Sequence, residues 1–194
     1  MTVGVLALQG DFREHITMLR SLDVETTEVR TTGELDDVAA LVIPGGESTT
    51  IGRLAAMYGL IDAIRERVVA GMPILGTCAG MIFLASSTGD RDQPQLRVLD
   101  AHVRRNAFGR QVDSFEAEVE IKGFEEPMHA VFIRAPWIEK VGADVEVLAS
   151  VTDDDGRSHP VFVRQGHILA TSFHPELTTD ARLHEMFVAL VPGV

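Results

Sequence analysis

The sequence predicts an α/β layered fold with a mixed, largely parallel central sheet, on three observations. Short, almost wholly apolar runs at residues 3–8, 41–43 and 73–77 lack polar alternation, as strands buried on both faces of a parallel sheet do. Helical spacing follows each run, so strand and helix repeat in turn. In the second half the pattern changes to alternation, as in Phe115-Glu116-Ala117-Glu118-Val119-Glu120-Ile121, the habit of antiparallel strands with one wet face.

Residues 3–8 read as the first central strand. After Gln9-Gly10, Asp11 can cap a helix with Glu14 three residues on, and Phe12, Ile16 and Leu19 recur at helical spacing to about Leu22. A strand over 24–29, a short polar helix over 34–38 and a strand over 41–43 continue the alternation. Pro44-Gly45-Gly46 ends that strand, and helices are expected over 48–58 and 61–70. The strand over 73–77 runs into Cys78 and then into an apolar helix over 81–85. Residues 87–95 read as a polar loop. Asp153-Asp154-Asp155-Gly156 is a turn signal between strands over 147–151 and 161–165. Gly166 introduces a last strand over 167–173, and a helix over 180–190 closes the pattern. No repeat, low-complexity tract or linker divides the 194 residues, and a single domain over 1–194 is expected.

Charge narrows the range of partners. Seventeen Lys and Arg against 29 Asp and Glu give a formal net charge of -12, which repels phosphate backbones and anionic lipid, so neither nucleic acid nor a membrane surface is an expected partner. No basic leader with an apolar core opens the chain, and no apolar run approaches the ~18 residues of a bilayer span. A cytoplasmic location is expected. The only cysteine, Cys78, has no partner for a disulfide or a multi-thiolate metal site, which leaves a structural thiol, a redox thiol or a nucleophile.

Gly76-Thr77-Cys78-Ala79-Gly80 puts that cysteine in a Gly-x-nucleophile-x-Gly pattern at a strand-to-helix junction, where a sharp turn lifts the central side chain clear of the backbone. Amides at the start of the following helix favour a thiolate and can hold an oxyanion. A redox elbow has the same look. The discriminating segment is Phe173-His174-Pro175-Glu176, because a nucleophilic cysteine needs a base and the base needs an orienting group. Pro175 favours an extended His174, in which residues i and i+2 share a side, so Glu176 can reach the imidazole. The plain alternative is a strand-end turn. His15, His102, His129, His159, His167 and His184 show no comparable pattern and no metal-site spacing; they read as surface or core histidines, and no metal is expected.

The elbow at Cys78, with His174-Pro175-Glu176 about a hundred residues on, resembles the class I, triad-type glutamine amidotransferases. Pro44-Gly45-Gly46-Glu47-Ser48-Thr49-Thr50, the segment from Arg105 to Gln111 with Asp113-Ser114-Phe115, and Phe132-Ile133-Arg134-Ala135-Pro136 are similar to the glutaminase subunits of pyridoxal 5'-phosphate synthases, as are Leu8-Gln9-Gly10 and Arg13-Glu14-His15. The resemblance implies a three-layer α/β/α, flavodoxin-like fold and hydrolysis of L-glutamine to glutamate and ammonia through a glutamyl thioester. It implies Cys78 as nucleophile, His174 as base and Glu176 as its orienting acid, with oxyanion donors at Ala79 and the Gly45-Gly46 segment. Substrate contacts carried over are Gly46, Glu47, Ser48, Arg105, Ile133 and Arg134; Ile133 would act through its main chain, and spacing does not assign which charge meets which group. Arg104 and Arg110 have no such assignment. The implied partner is a (β/α)8-barrel synthase subunit in a hetero-oligomer, and no cofactor is implied, the vitamin being that complex's product. One departure is residues 152–163, longer and more acidic than the family's usual hairpin. Rivals are a glutaminase for another pathway, such as histidine biosynthesis, and a non-catalytic redox-sensing relative.

Overall fold

The computed structural model describes residues 2–89, 93–105, 114–153 and 155–193. Its centre is a seven-stranded sheet built on β1 (Thr2–Leu6), β2 (Glu25–Val29), β3 (Ala40–Ile43) and β4 (Ile74–Thr77). The long β10 (Glu146–Thr152) and β11 (Ser158–Gln165) form a hairpin at one edge, next to β12 (Ile168–Thr171). The order is β10-β11-β12-β4-β3-β1-β2; the five strands from β12 to β2 run parallel, and β10 and β11 are antiparallel. The mixed, largely parallel sheet expected from the sequence is therefore present.

The apolar runs are apolar because both faces are covered. Leu41 and Ile43 of β3 enter one hydrophobic cluster while Ala40 and Val42 enter the other, and Ile74 and Leu75 of β4 divide in the same way. On the first face lie α3 (Ser48–Met57), α4 (Leu60–Val69) and α5 (Ala79–Leu84); on the second lie α1 (Phe12–Ser21) and α6 (Arg182–Val188). Short strands extend each layer. The sheet of β5 (Ala85–Thr88), β6 (Leu99–Arg104) and β9 (Trp137–Val141) adjoins the first face, and the pair β7 (Ser114–Val119) and β8 (Met128–Ile133) adjoins the second. The helix α2 (Thr32–Asp36) links β2 to β3.

Three expectations change. Asp11 stands at the N-cap of α1 but its side chain makes no capping bond; a complete capping box forms instead at Thr31 and Glu34, which starts α2 two residues before the expected 34. The expected helix over 81–85 ends at Leu84 and the expected loop does not begin at 87: β5 spans Ala85–Thr88 and pairs with β6, and its polar Ser86 and Ser87 hydroxyls bond Ala101 O and His102 Nδ1. Residues 175–177 form a 3-10 turn, so His174 and Glu176 do not lie on one extended segment. The hairpin turn opens at Asp153, whose carboxylate accepts from Arg157 N at 2.8 Å and pairs with His159; Asp154 lies outside the described residues.

Register places the working ends of three strands together. Thr171 of β12 pairs with Thr77 of β4, and Ile43 of β3 pairs with Gly76. The segments leaving the carboxyl ends of β3, β4 and β12 carry Gly45-Gly46, Cys78 and His174, and open sheets of this kind gather their sites at that end.

Candidate active site

Cys78 joins β4 to α5 with φ 48° and ψ -102°, a left-handed conformation rarely taken by a side-chain-bearing residue. Its N–H donates to Thr171 O at 2.8 Å and its carbonyl accepts from Ile82 N, so the turn is held from both sides. The flanking glycines are needed for space. A Cβ on Gly80 would meet Ile43 O at 2.2 Å, and one on Gly76 would meet Leu84 Cδ1 at 2.6 Å. The elbow can be this sharp because α5 rides directly on the ends of β3 and β4.

His174 follows β12, anchored by its N–H to Val131 O at 2.9 Å. The 3-10 turn brings Glu176 back beneath it, and His174 Nδ1 lies 2.7 Å from Glu176 Oε1. His174 is 3% exposed and Glu176 6%, so both groups sit largely out of water. Burial disfavours the imidazolium, yet hydrogen bonds to Cys78 and Glu176 outweigh it and push His174 up to about 10. Burial also pushes Glu176 up, while its bond to His174 draws it back. The two tendencies oppose each other, and the short bond between the groups favours the imidazolium–carboxylate pair.

Gly46, Glu47, Ser48, Cys78, Ala79, Arg105, Ile133, Arg134 and His174 line one cavity of about 360 Å³. Two of the expected site residues sit just behind its wall. Glu176 supports His174, and Gly45 lies so close to the imidazole that a Cβ there would meet His174 Cε1 at 2.2 Å. Gly46 has φ +147°, which favours glycine, and a Cβ on it would meet Gln9 Oε1 at 2.4 Å. Gln9 Oε1 also accepts from Glu47 N at 2.7 Å, tying this peptide segment to the end of β1. Ile133 enters through its main chain: Cys78 Sγ lies 3.9 Å from Ile133 O. Next to it Arg134 takes φ 44°, a second strained backbone at the cavity.

Glu47 has two tasks. Its carboxylate caps α3, accepting from Thr49 N at 3.1 Å and from Thr50 N at 2.8 Å, and it meets Arg105 Nη2 at 3.1 Å. Although burial opposes its charge, the Thr50 hydroxyl and the Thr49 and Thr50 amides hold it down to about 2. Arg105 Nη1 is further placed by Thr49 Oγ1 and by Gln93 Oε1 at 3.0 Å. A permanent anion and a permanent cation thus share the pocket wall. Of the signature that begins at Arg105, residues 106–113, with Arg110 and Asp113, lie outside the described residues; Ser114 and Phe115 open β7.

Some of these groups carry no signal in the sequence. Gln93 lies in a segment that reads as plain loop, yet it anchors Arg105. Asp11 lines the cavity with Oδ2 3.7 Å from His174 Nδ1. Asp11, His174 and Glu176 are close enough to bring ligand atoms together, but the carboxylate bond to His174 already accounts for two of them. His15 and His184 are fully buried behind Glu176, among residues that read only as surface or core histidines. Among the described residues no helix is long and apolar enough to cross a membrane.

Comparison with known proteins gives one consistent set of relatives. Pyridoxal 5'-phosphate synthase subunit PdxT of Nocardioides sp. is 57% identical over 98% of this chain and 96% of its own length. The proteins of that name from Mycolicibacterium vanbaalenii and Roseiflexus sp. are each 56% identical, over 96% and 98% of this chain and 96% and 100% of their own lengths. A crystal structure described as a glutamine amidotransferase superposes with a TM-score of 0.92 at 55% identity, covering 99% of both chains. A glutamine amidotransferase from Thermotoga maritima, at 16% identity, shares the fold with a TM-score of 0.62 over 97% of this chain and 81% of its own. The model of the SNO glutamine amidotransferase family matches residues 5–192, and with these relatives over nearly its full length the chain belongs to that family.

Proposed function

We propose that this chain is the glutaminase subunit of a pyridoxal 5'-phosphate synthase, releasing ammonia from L-glutamine for a (β/α)8-barrel synthase partner. The observation that carries the proposal is the strained Cys78 elbow in one cavity with His174, whose imidazole is hydrogen-bonded to Glu176 behind it. A buried, carboxylate-oriented histidine is the acid–base group that hydrolysis through a thioester needs, and the matching family is named for glutamine amidotransfer.

His174 takes the proton of Cys78 as the sulfur attacks the side-chain amide carbon of glutamine. The carbonyl oxygen becomes an oxyanion, and its donors are the Ala79 amide at the start of α5 and the Gly45-Gly46 segment. His174 passes its proton to the amide nitrogen, the C–N bond breaks and ammonia leaves, with a glutamyl thioester on Cys78. His174, now neutral, takes a proton from water, the resulting hydroxide attacks the thioester, and glutamate departs as His174 returns the proton to the sulfur. Glu176 holds the imidazole in register through both steps. Arg105 and Glu47, with Gly46, Ser48 and the backbone of Ile133 and Arg134, receive the amino-acid end of the substrate. No cofactor is needed for any step.

Free ammonia is waste unless an acceptor is present, so activity is expected to depend on the partner. The Gly45-Gly46 peptide is the switch, and Gln9, bonded to the next amide at Glu47, is the handle a docked synthase moves. Missing one oxyanion donor slows turnover roughly a hundredfold to a thousandfold. Glutamate release should be measured for the chain alone and with stoichiometric synthase; equal rates contradict the switch, and no glutamate in either case contradicts the function.

A further inference from the structure

Glu176 has two carboxylate oxygens, and only Oε1 is used by His174. Oε2 is buried with no hydrogen-bond partner among the described residues, an expensive condition for a carboxylate. Facing it at 3.4 Å is Nε2 of His15, whose side chain is as fully enclosed as that of Glu176. The same nitrogen lies 3.1 Å from Oγ1 of Thr77, the residue before the nucleophile, so one imidazole adjoins both the acid and the elbow. Behind it, His15 Nδ1 lies 2.9 Å from His184 Nε2, and His184 Nδ1 has no partner among the described residues. The first histidine is on α1 and the second on α6, 169 residues apart, and neither is exposed.

Two proton arrangements satisfy the bond between the histidines. If His15 carried its proton on Nδ1, its bare Nε2 would turn a lone pair toward the Glu176 carboxylate, and His184 would be left with an unpartnered buried N–H on Nδ1. If His184 donates from Nε2, His15 Nδ1 accepts, and His15 Nε2–H donates to Thr77 Oγ1 with Glu176 Oε2 3.4 Å from the same nitrogen. The unpartnered His184 Nδ1 is then a bare lone pair rather than a stranded donor. The second arrangement removes a repulsion and a buried donor at once.

We propose, resting on the triad reading above, that His15 is a positioning residue for Glu176: its Nε2–H holds Oε2, and His184 fixes the tautomer that puts the proton there. The relay then runs His184, His15, Glu176, His174, Cys78. Burial, followed by the nearby His184 and His174, keeps His15 well below the ordinary histidine range, so it serves as a neutral donor. It never touches glutamine and acts only through the acid.

The test compares His15→Leu, which fills the space without a donor, with His15→Gln, whose amide offers an N–H at a similar reach, both assayed with the synthase partner. His15→Leu should lower kcat roughly tenfold to a hundredfold, the usual range for a group supporting an active residue, with KM changed less than about twofold. His15→Gln should recover to within about threefold of the parent. Equal losses in both variants, or a KM that rises in step with the fall in kcat, overturn the proposal. Since His15→Leu can fail to fold, long-range 1H–15N NMR of the unaltered chain reads the tautomer directly. A proton on His15 Nε2 supports the proposal, and one on Nδ1 overturns it. Cys78→Ala in the same assay separates the two levels. If it stays active the triad itself is wrong; if it is silent while His15→Leu matches the parent, only the role of His15 falls.

Discussion

Cys78 keeps φ at 48° although it carries a side chain, at a cost of about 1 to 3 kcal/mol, and the fold tolerates this only because Gly76 and Gly80 let α5 sit against two strand ends. The strain lifts the sulfur into the cavity that holds Glu47 and Arg105. Each charged residue there has a separate task, which predicts separable kinetics. Glu176→Gln keeps the shape but presents a neutral group to His174, so kcat should fall by orders of magnitude, as when the acid of a serine-protease triad is neutralised, with KM little changed. Arg105→Ala should raise KM, but it also removes a partner of Glu47 and Gln93, so a smaller loss of kcat is expected beside it. Steady-state kinetics with saturating synthase read both. A Glu176→Gln enzyme of normal kcat would remove that residue from the triad.

At the scale of elements, the decisive contacts are between backbones. Gly80 Cα faces Ile43 O so closely that the methyl of Gly80→Ala would have to displace a central strand end, and overpacking of this kind costs about 1 to 3 kcal/mol. Urea unfolding should show that loss, and the displaced elbow should lower activity beyond what the fraction unfolded explains. The runs of β1, β3 and β4 were legible because burial on both faces leaves only apolar residues, and Gly-Thr-Cys-Ala-Gly and His-Pro-Glu were legible because their geometry is local. What was not legible depended on distance in the sequence or on polar content. Ala85–Thr88 forms a strand despite two serines because β6 and its own side chains supply their bonds. Glu176 reaches His174 by a 3-10 turn and not by an extended pair. Gln93 and His15 find their partners through packing of elements far apart in the chain, and no spacing rule encodes that.

At the scale of the whole molecule, the fully buried His15 and His184, among the described residues, favour the neutral imidazole. Burial lowers His184 from 6.5 to about 4, and burial, followed by the nearby His184 and His174, also lowers His15 well below its ordinary range. The unfolded chain takes up protons on them first, so their stabilising effect is complete above about pH 6.5 and is lost as the pH falls toward 4. His184 alone accounts for about 2 kcal/mol between about pH 7 and about pH 5. His174 works in the other direction: raised to about 10, it is protonated in both states below 6.5, adds no slope there, and loses its contribution as the pH rises toward 10. Urea unfolding across this range should show stability falling on acidification, and His184→Gln should flatten the fall. An unchanged slope in that variant would contradict a buried, neutral His184.

The claim on which the rest depends is that Cys78 is the nucleophile of a glutaminase, and a glutamine-mimicking diazo-ketone tests it directly. The complex with the synthase should be incubated with the label, digested and weighed by mass spectrometry. One adduct is expected, on the peptide containing Cys78, suppressed by excess glutamine, and Cys78→Ala should take up no label and release no glutamate. A label carried elsewhere, together with glutamate release by Cys78→Ala at the rate of the parent, would contradict the assignment of the nucleophile and with it the proposed mechanism.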